Sequence, residues 1–241
     1  MRKWTGNCVL TLSVLAFCGA TAWAEDLVSV EKKIVKQWQK HKSLKANVTR
    51  TEGTEAKGRT ATSKGEGTYE FMRRGDEVLF RKEMRTIWEV DAGPRKTKLE
   101  MNTLKVCDGK YEYELSERMG WKTAVKTKPD PASGANLKTF LENLRAKNDL
   151  KLLEEEAVEG QDAYVIEATP KNLRPGNPHK TLVYYFSKDH GVLLKEERRD
   201  KDGKAVLKIA YTDLEFDVKI DPKRFEFKAP EGVIVQDLTG E

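Results

Sequence analysis

The chain has 241 residues, with 44 Lys and Arg against 39 Asp and Glu, a formal charge of +5, and only 3 Cys and 3 His. Charge is abundant but nearly balanced and interspersed, which reads as a solvated surface and not as the clustered basic face of a nucleic-acid binder. With no His or Cys at ligand spacing a metal site is not expected, and the length suits one β domain with a sizeable core.

The N-terminal segment reads as an export signal. Arg2 and Lys3 precede the apolar run Val9–Phe17, and Ala22-Trp23-Ala24 places small residues where a signal peptidase reads. Cleavage after Ala24 divides the chain into a signal peptide, 1–24, and a single domain, 25–241, in a periplasm-like compartment. A second arrangement stays open, in which Leu15-Ala16-Phe17-Cys18 acts as an imperfect lipobox and Cys18 carries a lipid anchor. Cleavage after Ala24 removes Cys8 and Cys18, so Cys107 cannot form an intramolecular disulfide and is expected to behave as a small hydrophobe on a strand.

Leu27, Val30, Ile34, Trp38 and His41 recur three or four apart, predicting an amphipathic helix whose stripe covers one face of a sheet. The period then changes to two, with Leu44, Ala46 and Val48 alternating with polar residues. The polar stretch Gly53–Gly67 reads as a long mobile connection. Thr68–Arg73 and Val78–Thr86 flank Arg74-Gly75-Asp76 as a hairpin, and Lys98–Val106 leads into the turn Cys107-Asp108-Gly109-Lys110. Tyr111, Tyr113 and Leu115, then Trp121, Thr123 and Val125, continue a meander that ends at Pro129-Asp130-Pro131.

A second helix is predicted from Asn136, with Leu137, Phe140, Leu141 and Leu144 on one face. Strands follow near Leu150–Glu156, Ala163–Ala168, Thr181–Phe186 and Leu193–Arg199, then Val206–Val218 after the Asp202-Gly203 turn. Phe225–Phe227 and Val233–Val235 form the last element. About ten or eleven strands without βαβ alternation predict a mainly β (α+β) fold, an incomplete antiparallel β-barrel with a helical lid.

No zinc-protease, nucleophile-elbow, phosphate-loop or dinucleotide motif is present, and Glu154-Glu155-Glu156 places successive carboxylates on opposite faces of a strand. The residues make no case for an enzyme, and no catalytic residue, metal ligand or cofactor is assigned. The strand aromatics instead collect on one sheet face, where they form either a filled core or the wall of a greasy pocket.

Three stretches resemble the outer-membrane lipoprotein carriers of the LolA/LolB-like superfamily. They are Gly65–Arg74 followed by Leu79-Phe80-Arg81, the hairpin Val106–Tyr113, and the closing segment Ile220–Val233. With the two helices, the match covers nearly the whole of 25–241. The resemblance implies an exported monomer that carries lipid or lipoprotein acyl chains to an outer membrane and passes them to a membrane acceptor protein. On that reading Trp38, Phe71, Phe80, Met84, Tyr111, Trp121, Tyr184 and Phe186 line the cavity, and Leu137, Phe140 and Leu141 belong to the lid. Arg74 is the best match to the arginine that holds the carriers' lid through backbone carbonyls, with Arg73 the alternative. Gly75 stands where the carriers have proline, and 53–64 and 171–178 look like embellishments. Relatives on the same fold include glycolipid-binding lipoproteins and a regulator that senses mislocalised lipoprotein and binds an anti-sigma factor, so a lipid-sensing, protein-binding module is the alternative function.

Overall fold

The computed structural model describes residues 26–240 except 57–58, 76, 92, 94, 131–135 and 173–178. The export segment with Cys8 and Cys18, the turn residue Asp76, Pro131 and most of the 171–178 embellishment therefore lie outside the described residues.

Helix α1 spans Leu27–Trp38. Its N-cap is Asp26, whose carboxylate accepts from the Val28 and Ser29 amides at 3.0 and 3.1 Å, meeting two donors a helix start leaves free. Val30, Ile34 and Trp38 are its buried stripe. The helix ends at Trp38, one turn short of His41, which lies in the connection to the first strand.

Strands β1 (Ser43–Ala56), β2 (Arg59–Arg74), β3 (Glu77–Asp91), β4 (Lys96–Cys107), β5 (Glu112–Arg118) and β6 (Trp121–Thr127) make an antiparallel meander. Helix α2 (Leu137–Lys147) follows, then β7 (Asn148–Leu152), β8 (Glu156–Val158), β9 (Gln161–Pro170), β10 (Thr181–Ser187), β11 (Leu193–Arg199) and β12 (Ala205–Phe216). A 3-10 turn at Pro222–Phe225 precedes the short β13, Val235–Asp237. One sheet of 13 strands results, in the order β13-β6-β5-β4-β3-β2-β1-β12-β11-β10-β9-β7, with β8 paired to β9. It is not closed, since β13 and β7 stand at opposite edges.

The meander β1–β6 and the group β9–β12 meet where β1 pairs with β12, Leu44 opposite Phe216 and Val48 opposite Tyr211. A bulge between Lys45 and Asn47 interrupts this seam, and Asp213 beside it has a left-handed backbone, φ 50°. Bulges sharpen local twist, which helps so wide a sheet curl.

The segment Gly53–Gly67 corrects the sequence reading. Instead of a connection it forms the outer reach of a long β1–β2 hairpin, paired without a break from Ser43–Met72 to Ala56–Arg59. Its Thr and Lys residues are polar because this part of the ribbon extends beyond the helices, so alternation carries no apolar signal there. The final element is also different: Phe225 sits in a 3-10 turn, and β13 runs parallel to β6.

Both helices pack on the inner face. Val30, Ile34 and Trp38 of α1 and Leu137, Leu141 and Leu144 of α2 share one core with Leu44, Phe71, Ile166, Tyr184 and Phe186. Arg145 on α2 pairs with Glu31 on α1 at 2.5 Å. The outer face of β2–β3 is covered by the C-terminal segment, where Ile220 and Phe225 bury against Leu79. Cys107 is buried, its Sγ 3.5 Å from the Val78 carbonyl, and burial pushes its thiol pKa up.

Gly191, in the β10–β11 turn, fixes how closely α1 approaches. Its φ is +67°, and a Cβ there would collide with the Ile34 carbonyl of α1. Gly191→Ala is expected to cost about 2–4 kcal/mol from overpacking and left-handed strain. Thermal unfolding should register it as a lower Tm, by roughly 5–15 °C for a domain this size.

Candidate lipid-binding cavity

A cavity of about 270 Å³ lies between the two helices and the inner sheet face. Trp38 from α1 and Leu137 and Phe140 from α2 form its helical side. Leu44, Tyr69 and Phe80 supply one sheet wall, and Phe186, Val192, Leu193 and Tyr211 the other, across the β1–β12 seam. Lys82, Lys105, Gly191 and Glu196 complete the lining.

The inner position follows from register. Leu44, Phe71, Phe80 and Cys107 lie opposite one another in a row across β1–β4, and Ala46, Tyr69, Lys82 and Lys105 form the next row. Residues two apart on a strand share a face, so both rows belong to the helix-covered side. Tyr69 and Phe80 stack at 6.4 Å, and Tyr69 meets Tyr211 edge-on at 5.8 Å. Burial drives the Tyr69 and Tyr211 phenols well above their usual pKa, and burial lowers that of Lys82 against the opposing pull of Glu196.

Of the eight residues expected in the cavity, Trp38, Phe80 and Phe186 line it. Phe71 and Tyr184 are one layer behind: Phe71 packs on Trp38 at 4.7 Å, and Tyr184 meets Phe140 edge-on at 5.5 Å. Met84, Tyr111 and Trp121 need correction. Met84 borders a shallow groove further along β3, beyond the reach of the helices. Tyr111 lies past the β4–β5 turn, with Lys126 Nζ 3.8 Å from its ring centre. Trp121 begins β6 and is 81% exposed, because inner-face alternation continues past the part of the sheet that the helices cover. Leu137 and Phe140 face the cavity, whereas Leu141 is buried under α2 without lining it.

The arginine assignment reverses. Arg74 is on the outer side of β2 and pairs with Glu77 at 2.8 Å in solvent. Arg73, two residues after Phe71 and on its face, donates to the carbonyls of Gln39 and His41 at 2.9 and 3.2 Å. These carbonyls follow α1, so Arg73 ties the end of that helix to the sheet; a rigid guanidinium fork suits the task. Next to it, His41 Nδ1 lies 3.0 Å from Asp217 and its Nε2 3.2 Å from His190 Nδ1, while His190 stacks on Phe216 at 4.1 Å. Burial and His41 lower the His190 pKa, and the Lys42 amide and His41 hold Asp217 below the usual carboxylate range.

Sequence reasoning missed Tyr211, Lys82 and Lys105. A signal existed for Lys82, which stands two residues from both Phe80 and Met84 on the same strand face, but its charge suggested solvent. Among the described residues no group of three or more His, Cys, Asp or Glu could hold a metal ion.

No family model matches the chain. An uncharacterised protein of Methanocaldococcus jannaschii is 25% identical over 209 residues, 84% of this chain and 51% of the relative. The chain thus spans about half the length of the curated relative it matches. Among solved structures, a conserved uncharacterised protein of Thermus thermophilus aligns with TM-score 0.48 and 12% identity, over 85% of this chain and 98% of that one. Pseudomonas aeruginosa MucB in complex with MucA aligns with TM-score 0.43 and 16% identity, over 82% and 59%. A LolA superfamily protein of Nitrosomonas europaea aligns with TM-score 0.30 and 14% identity, over 85% and 99%.

Two outcomes test the anchoring of α1. Arg73→Leu should lower stability by about 1 kcal/mol through two lost hydrogen bonds, whereas the exposed Arg74→Leu should change it by less than about 0.5 kcal/mol. Hydrogen exchange in α1 should rise in the first variant alone. Because the folded-state pKa of His190 is depressed, the unfolded chain binds the proton first, so stability should fall as pH drops below about 6.5. Asp217 contributes in the same direction only below about pH 4, as pH falls through its lowered folded value. His190→Gln should flatten the dependence of Tm on pH between about 7 and 5.

Proposed function

We propose that this chain is an exported carrier that holds acyl chains of a lipid or lipoprotein in the cavity beneath α1 and α2. The observation that carries the reading is the cavity itself, roofed by Trp38, Leu137 and Phe140 and walled by aromatic and aliphatic side chains from both halves of the sheet. Each methylene moved from water to such a site gains about 0.8 kcal/mol, so ten of them gain roughly 8 kcal/mol before the costs of binding. The motifs resembling the lipoprotein carriers support the same assignment, and with it a periplasmic location, a monomer and a membrane acceptor. Among the described residues no helix is long and apolar enough to cross a membrane.

One observation favours the alternative of a protein-binding module. Met119, Trp121 and Ile234 are 78%, 81% and 89% exposed, all at the sheet edge made by β5, β6 and β13. Such side chains mark interaction surfaces when they gather.

The test is direct binding. Protein purified without detergent should release lipid on solvent extraction and should enhance the fluorescence of a neutral pyrene-labelled alkyl alcohol. Phe140→Arg, on the half-buried cavity face of α2, should weaken probe binding at least about ten-fold. Lipid-free preparations that do not bind the probe, together with a protein partner crosslinked at Trp121, would move the assignment to the protein-binding reading.

A further inference from the structure

The cavity is not uniformly apolar. Lys82 on β3 and Lys105 on β4 are direct cross-strand partners, and both line it. Like charges placed opposite each other in a sheet repel, and a low-dielectric surrounding strengthens that repulsion. Lys105 is compensated, its Nζ 2.5 Å from the buried carboxylate of Glu112. Glu196, across the cavity, accepts from Arg198 at 3.1 Å. Lys82 has no ion pair or hydrogen bond among the described residues; its Nζ lies 5.6 Å from the centre of the Tyr211 ring. The hydroxyls of Tyr69 and Tyr211 likewise have no hydrogen-bond partner among the described residues, although both rings are packed in the cavity wall. The buried Trp38 indole N–H is a further donor left without an acceptor.

Of these groups the Trp38 N–H is fully buried, whereas Lys82, Tyr69 and Tyr211 are half-buried and leave their donors open to the cavity, where, among the described residues, the only opposing charge on Lys82 is the pull of Glu196, itself paired with Arg198. A carrier of neutral chains would be better served by Met or Leu at 82, since a lysine facing another lysine costs stability and adds nothing to alkyl binding.

We infer that the cavity takes an amphiphile with a single anionic head group, the anion held at Lys82 between the hydroxyls of Tyr69 and Tyr211. The alkyl chain then runs beneath Leu137 and Phe140. This deepens the carrier reading and rests on it. A carboxylate and a phosphate share the required chemistry, because each accepts several charge-assisted bonds. The volume of about 270 Å³ is just below the range of about 300–1,000 Å³ typical of ligand sites, so one chain fits better than several. A bound anion would also reverse the depression of the Lys82 pKa that burial causes.

Calorimetric titration of wild type, Lys82→Met and Lys82→Arg with dodecanoate, dodecyl phosphate, dodecanol and acetate tests the inference. Wild type and Lys82→Arg should bind the two anionic amphiphiles at least about ten-fold more tightly than dodecanol. Lys82→Met should lose that preference, and its Tm should equal or exceed that of wild type. Equal affinity for dodecanol and dodecanoate in wild type would overturn the anionic subsite and leave the carrier reading standing. So would a preference that survives in Lys82→Met. Acetate binding as tightly as dodecanoate would overturn it in favour of a small-anion site. Binding of none of the four would sink the carrier reading as well.

Discussion

Two helices of 12 and 11 residues have to cover the inner face of a sheet of 13 strands. An α-helix of that length is about 18 Å long, whereas neighbouring strands are about 4.8 Å apart, so the helices can shield only a few strands' width. Much of the molecule's character follows from this shortfall. Where the helices lie, the inner rows are Leu44, Phe71 and Phe80, buried and tightly packed. Further out on the same strands the inner face is given to small and polar residues, Gly65, Gly67, Thr86 and Arg50, with Val48 and Thr86 still buried among them. The cavity occupies the boundary between these regimes, with Trp38, Leu137 and Phe140 on its helical side and Lys82, Lys105 and Glu196 among its sheet residues.

The outer face meets the same problem with different means. The segment that leaves β12 crosses behind β2 and β3, burying Ile220 and Phe225 against Leu79 and pairing Arg224 with Glu70 at 2.9 Å. Phe227 then stacks on Tyr113 at 4.8 Å before the chain reaches the edge beside β6. That edge strand is only three residues long, a device that limits unwanted pairing with other sheets. The chain after β12 thus acts as a strap that braces the half of the sheet carrying the lysine pair.

The helices and most strands were legible in the sequence because burial there is one-sided and periodic. Val30, Ile34 and Trp38 mark one helix, and Leu137, Leu141 and Leu144 the other. The Gly53–Gly67 stretch was misread because its covered face carries Ala61, Ser63, Gly65 and Gly67, residues too small or polar to give an apolar alternation, and only cross-strand pairing reveals it. Within the site, Trp38, Phe80 and Phe186 could be anticipated from strand parity and size. Trp121 shows the limit of parity, which identifies the face but not how far the cover extends. Arg73 and Arg74 differ by one position, and so by one face, and motif matching cannot resolve that distance. Lys82 was hidden by its charge, since a lysine between Phe80 and Met84 is ordinarily a surface residue.

The seam between β1 and β12 joins residues 44–52 to residues 207–216, the most distant pairing in the sheet. The strands on either side of it are hairpin neighbours, able to form from local contacts, whereas this pairing must close almost the whole chain. Loop closure over such a span is paid for before its contacts return anything, so folding by two local meanders that dock last is the kinetically natural route. Leu44 and Tyr211 belong to the two seam strands, and the remaining cavity walls come from opposite sides of it. The cavity is then absent from either half alone and comes into being when the two halves dock. A partly folded chain would have no cavity at all, which ties the appearance of the cavity to the completion of the fold.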